Sequence, residues 1–61
     1  MYFEIIYEDR HCEIETDRNV VFSMIDDLES GDRTDIAIIS YVEDDGEWDE
    51  MWTKEDGVII R

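Results

Sequence analysis

The sequence has no proline, one cysteine, one histidine, three glycines and only five basic residues among 61. Each shortage removes a class of explanation. With Cys12 alone, no intrachain disulfide can form, and no paired Cys/His spacing exists to hold zinc. A single thiol fits a reducing, intracellular compartment better than secretion. His11 is the only imidazole, and it falls at a hairpin among acidic neighbours, where it reads as a solvated turn residue. A general base needs a partner and a pocket, and no nucleophile–base pair is visible, so an enzyme is not expected. Gly31, Gly46 and Gly57 are scattered and make no phosphate-cradling loop. Without proline, low-complexity tract or internal repeat there is no sign of a linker, and residues 1–61 read as one acidic domain. No stretch approaches the ~20 apolar residues of a membrane span. Met1-Tyr2-Phe3-Glu4 has no basic n-region of the kind a signal peptide carries. The expected location is the cytoplasm.

What the chain has in excess is carboxylate: 19 acidic residues against 5 basic ones, a net charge of −14. Acidic disordered tails lack aromatic and β-branched residues, whereas this chain has two Trp, three Tyr, two Phe and nine Ile. It can build a core. A domain of this size buries only about 60% of the surface its unfolded chain exposes, and like-charge repulsion destabilises it further. Solubility asks for a net charge of only about 2–8 in magnitude. The surplus therefore points to use. Phosphate backbones and anionic membrane surfaces would be repelled, so the expected partner is a basic protein surface. No cofactor and no metal are expected.

Along the chain, Tyr2 to Glu8 alternates with Phe3, Ile5 and Tyr7 on one face and Tyr2, Glu4 and Ile6 on the other, the period of a strand. Asp9-Arg10 reads as a tight turn. In the following strand, His11 to Thr16, Cys12 and Ile14 are expected to point inward, with Glu13 and Glu15 outward. Val20, Val21, Met24, Ile25 and Leu28 then form a helical stripe over about residues 18–30, capped by Thr16 or Asp17 and ended by Gly31, with Phe22 off the stripe. A third strand is expected over Asp35 to Glu43, with Ile36, Ile38, Ser40 and Val42 on one face and Ala37, Ile39 and Tyr41 on the other. Asp45-Gly46 and Asp56-Gly57 signal turns around a fourth strand, Glu47 to Thr53, and a short fifth, Val58 to Ile60. The fold class is α+β, of order ββαβββ: an antiparallel sheet of four to five strands with one amphipathic helix packed on one face. Tyr2, Ile6, Ala37, Ile39 and Tyr41 are expected to form an apolar patch on the opposite face. Such patches often mark interfaces, and a homodimer is one use for it.

The acidic run from Glu43 to Glu50 fails as an EF-hand. With Gly46 at loop position six, position one is Tyr41 and position twelve is Trp52, and neither can serve as ligand. Rows of carboxylates are a better use. Alternate strand residues stand about 6.6 Å apart on one face, so Glu13 with Glu15, and Glu47 with Asp49, present charge at a spacing comparable to backbone phosphates. A DNA-binding groove that accepts phosphate oxygens can accept such rows. A tight binder also needs an apolar anchor, for which the helix stripe, Met51, Trp48 and Trp52 are candidates.

These segments resemble the phage-encoded, Ugi-type DNA-mimic inhibitors of uracil-DNA glycosylase over roughly residues 12–53. Glu13-Ile14-Glu15-Thr16 stands where that family has a strand ending in Glu-Ser, Val20 to Leu28 stands for its amphipathic helix, and Thr34-Asp35-Ile36-Ala37-Ile38-Ile39-Ser40-Tyr41 is similar to the strand that follows. The front half also resembles a smaller, dimeric inhibitor type. The resemblance implies that Glu15 and Thr16 enter the enzyme's DNA groove. It also implies that Val20, Met24, Ile25 and Leu28, with Ile38 and Met51, line an apolar cavity for the side chain the enzyme wedges into DNA. Thr16 replaces the family's Ser, Asp17 replaces an apolar residue, and strand Tyr2–Glu8 stands in place of an N-terminal helix. The expected function is DNA-mimic inhibition of uracil-DNA glycosylase in an infected cell. The alternatives are a mimic aimed at another nucleic-acid-binding defence protein (CRISPR or restriction), a small acidic interaction module or dimeric regulator, and a salt-adapted protein.

Overall fold

The computed structural model describes residues 1–59. The elements run β1 (Tyr2–Tyr7), β2 (Cys12–Glu15), α1 (Arg18–Ser30), β3 (Ile36–Val42), β4 (Trp48–Thr53) and β5 (Gly57–Val58). Ile60, expected in the last strand, lies outside the described residues. The five strands form one antiparallel sheet in the order β2-β1-β3-β4-β5, and α1 connects β2 to β3. The fold is α+β, with the element order read from the sequence. Both edge strands are short, and β2 carries Glu13 and Glu15, which discourages edge-to-edge pairing.

The helix begins where Asp17 caps it, its side chain accepting from the Asn19 N–H at 2.9 Å. It stops at Gly31, whose φ of 85° is the left-handed conformation and whose N–H bonds the Leu28 carbonyl at 3.3 Å. Val21 and Ile25 are buried against Phe3, Ile5, Ile36, Ile39, Met51 and Trp52, with Met24, Leu28, Tyr7, Tyr41 and Val58 half-buried around them. Burying each of the large apolar side chains contributes about 1.5–3 kcal/mol. Phe22 is exposed, as its place off the stripe predicts, and Val20 lies at the exposed margin.

Two loops share one geometry. In the β1–β2 hairpin, Tyr7 N–H bonds the His11 carbonyl and Arg10 N–H bonds the Tyr7 carbonyl, both at 2.9 Å. In the β3–β4 hairpin, Glu43 N–H bonds Glu47 at 2.7 Å and Gly46 N–H bonds Glu43 at 3.0 Å. Asp9 and Asp45 each accept from the backbone N–H two residues on, at 3.1 and 3.0 Å. The third loop residue has positive φ in both: 74° at Arg10 and 91° at Gly46. Each is thus a three-residue loop with a left-handed last position.

This geometry overturns the facing expected for β2. A two-residue turn at Asp9-Arg10 would pair Ile5 with Ile14. The three-residue loop instead pairs Ile5 with Glu13 and Ile6 with Cys12. A one-residue shift moves every side chain to the other face, so Cys12 and Ile14 are exposed opposite the helix, while Glu13 and Glu15 lie on the helix side. The facing of β3 is also reversed. Ile39 pairs with Ile5 and is fully buried, Tyr41 packs on the core, and Ile38 and Val42 lie on the open face. An irregularity at Ala37 brings Ile36 back into the core. A second, between Ile39 and Ser40 in their pairing with β4, lets both Met51 and Trp52 be buried. The apolar patch expected from Tyr2, Ile6, Ala37, Ile39 and Tyr41 is therefore different: Tyr2 and Ile6 belong to it, Ile39 and Tyr41 do not, and Ile38, Val42, Ile14 and Trp48 take their place.

Candidate partner-binding surfaces

The carboxylates fall into two kinds. Several serve the backbone. Asp17 caps α1, Asp9 and Asp45 close the two loops, and Glu15 Oε2 accepts from both Thr16 N–H (2.9 Å) and Asp17 N–H (3.0 Å). Glu15 is thus tied to the β2–α1 junction, and its carboxylate is held in a fixed direction beside the exposed Thr16. The amide of His11 holds the Asp9 carboxyl below its usual range. Glu13 lies 3.8 Å from His11 Nε2 and pushes the Tyr7 phenol up, through hydrogen bonding and then by its charge; the imidazole itself stacks on the Tyr7 ring.

The second kind is surplus. Among the described residues the cations that pair with carboxylates are the N-terminus with Asp44, Lys54 with Glu8, and Arg33 with Asp35 through bonds of 2.7 and 3.1 Å, while the His11 ring lies 3.1 Å from Asp9 and 3.8 Å from Glu13. The guanidinium holds the Asp35 carboxyl below its usual range. Glu47 and Asp49 are exposed along the β3–β4 hairpin, with Glu47 just ahead of β4 and Asp49 within it. Asp26, Asp27 and Glu29 crowd the last turns of α1 and Arg18 opens it, an arrangement opposite to what the helix dipole favours.

The apolar residues expected to line one cavity are dispersed. Ile25 and Met51 are buried in the filled core, Leu28 borders a depression with Ile36 and Trp52, and Val20 and Met24 border another with Asn19 and Asp27. Ile38 is on the opposite face of the sheet from α1, because its partner Ile6 is an open-face residue. The alternation on β3 could not reveal this, since residues 36–39 are all apolar and the irregularity at Ala37 resets the phase.

Sequence reasoning placed an apolar patch on that open face but missed most of its members. Paired residues share a face, so the registers build three cross-strand rows. One is Cys12, Ile6, Ile38 and Thr53; the next is Ile14, Glu4, Ser40 and Glu50; the third is Tyr2, Val42 and Trp48. They bound a shallow depression of about 350 Å³ lined by Tyr2, Ile6, Ile38, Val42 and Trp48, with Glu4 and Glu50 on either side of Ser40. Ser40 is buried, whereas Ile14 is 58% and Trp48 63% exposed. Cys12, expected in the core, is exposed at its edge, and partial desolvation together with Glu4 and Glu13 raises its thiol above the usual range. That environment suppresses the thiolate.

Among the described residues no group of three or more His, Cys, Asp or Glu is arranged to hold a metal ion, and no helix is long and apolar enough to cross a membrane. Comparison with known proteins finds no match: no protein-family model fits the chain, no curated protein matches its sequence and no solved structure matches its fold.

Proposed function

We propose that this protein acts by binding, as a DNA mimic: it occupies the basic groove of a nucleic-acid-binding protein with carboxylates in place of phosphates. The observation that carries this reading is the charge surplus, −14 on 61 residues. It is displayed on exposed hairpin and helix-end positions where it works against stability. Asp27 and Glu29, in the last turn of α1, oppose its dipole, by about 0.3–1 kcal/mol apiece. Rules of local stability are broken most often where function requires it. Binding of this kind is fast, steered and weakened by salt, and it takes place where the target works, in the cytoplasm.

Uracil-DNA glycosylase is the first target, by the resemblance at residues 13–16, 20–28 and 34–41. In this reading Glu15 and Thr16, at the β2–α1 junction, and the Glu47–Asp49 side of the β3–β4 hairpin meet the DNA groove. The test is uracil excision from labelled DNA by a bacterial uracil-DNA glycosylase, with this protein added in equimolar amount at moderate salt. Full inhibition at one-to-one stoichiometry supports the glycosylase reading. Undiminished excision rejects that target. The second reading, an acidic interaction module, is favoured by one feature: the open sheet face with its exposed Ile14 and Trp48.

A further inference from the structure

We infer that the open face of the sheet is a docking surface in addition to the β2–α1 junction and the β3–β4 hairpin, and that its occupant is a cationic segment of a partner protein whose Lys or Arg side chains alternate with apolar ones. The inference rests on the reading that the partner is basic, and it names the site and the chemistry recognised there. Three features of the face specify the occupant. The middle row places Glu4 and Glu50 on either side of Ser40; at the spacing of neighbouring strands their Cα atoms are about 10 Å apart. One guanidinium or ammonium group set over Ser40 lies between both carboxylates and within reach of the hydroxyl. On both sides of that row run apolar rows, Ile6 with Ile38 and Tyr2 with Val42 and Trp48, which give a partner's apolar side chains somewhere to go.

Glu4 and Glu50 are half-buried already, and a covering segment desolvates them further, so they penalise any occupant that fails to supply positive charge. A second copy of this chain fails that condition, because face-to-face pairing sets Glu4 and Glu50 against their own kind within a pair of −14 molecules. Nucleic acid fails for the same reason. The other acidic clusters lack this selectivity. The Glu43–Asp49 hairpin carries its acids exposed, where an ion pair is worth little.

The test uses the isotopically labelled whole chain and a capped nine-residue peptide alternating Arg and Val, at 50 mM salt, beside an oligolysine of equal charge. Amide shifts locate the peptide, and Trp48 fluorescence follows binding. The expected result is that shifts centre on Ile6, Ile38, Ser40 and Val42, and that the Glu4→Gln/Glu50→Gln variant binds about tenfold more weakly with its thermal unfolding no lower than wild type. Oligolysine is expected to bind less tightly and to shift the β3–β4 hairpin. The inference is overturned if the Arg-Val peptide maps to the hairpin or helix end with the variant binding equally well. It is also overturned if the peptide does not bind, or if sedimentation shows a dimer that protects Trp48 from quenching. The glycosylase assay separates the two proposals. A wild type and a Gln variant that inhibit equally remove the docking face and leave the mimic. A peptide docked on the face by a protein that does not inhibit removes the glycosylase and leaves the face.

Discussion

Arg10 occupies in the first hairpin the position that Gly46 occupies in the second, with the same loop hydrogen bonds and a φ of 74° against 91°. A side chain with a Cβ in the left-handed region costs about 1–2 kcal/mol. Glycine removes that cost but loses about 0.5–1 kcal/mol more conformational entropy on folding. Arg10→Gly is therefore expected to stabilise the fold by about 0.5–1 kcal/mol, which for a domain of this size raises Tm by roughly 2–8 °C. The change also takes one positive charge from a chain at −14, leaving −15, and at low salt that repulsion masks the gain. The assay is thermal unfolding at 1 M NaCl, where the Debye length is about 3 Å and the backbone contribution stands nearly alone. Gly46→Ala is the mirror experiment. A Cβ there meets nothing within 4 Å, so its expected loss, of about the same size, is purely conformational. If Arg10→Gly fails to raise Tm at 1 M salt, or Gly46→Ala fails to lower it, the equivalence of the two loops is refuted.

Three further outcomes follow from the geometry. Asp17→Ala removes the cap of α1 and is expected to cost about 1 kcal/mol in urea unfolding; a change under a few tenths would show the helix start is held otherwise. The Tyr41 hydroxyl donates to Glu43 at 2.7 Å, and that bond, with partial burial, raises its pKa; Tyr7 is raised by Glu13. Folded pKa values above the unfolded value near 10 mean that the folded state holds these protons more tightly, so their contribution is complete below about pH 10 and lost as pH rises through the folded values. Stability should fall above pH 10, and less steeply in Tyr41→Phe; an identical slope would exclude Tyr41. Cys12 is exposed but its thiol is raised, so labelling by a disulfide reagent at pH 7.5 is expected to be slower than for a free cysteine peptide and faster in Glu13→Gln; a wild-type rate matching the peptide would contradict the assigned environment.

Elements were legible in the sequence because their signals are local. The 3.6 period of Val21, Ile25 and Leu28, the cap at Asp17 and Gly31 after the stripe place α1 at the residues it occupies, and the alternation of Phe3, Ile5 and Tyr7 places β1. Facing was not legible in β2 and β3, because it depends on one residue of loop length and on one inserted residue. Asp9-Arg10 carries no glycine to announce a left-handed third loop position, and nothing in the run from Ile36 to Ile39 marks Ala37 as the irregular one. The candidate surface inherited those errors: Ile14, Ile38 and Val42 meet on the open face only once the registers are known, and Glu4 and Glu50, in strands 45 or so residues apart in sequence, come together through β3.

The central claim, that these carboxylates take the place of phosphates in the groove of uracil-DNA glycosylase, is tested most directly by competition. Labelled duplex DNA is bound to a bacterial uracil-DNA glycosylase, and its fluorescence anisotropy is followed as this protein is added at 50 and at 300 mM salt. The account predicts stoichiometric release of the DNA at the lower salt and a weaker competitor at the higher one. DNA that stays bound at every ratio and both salts would contradict it.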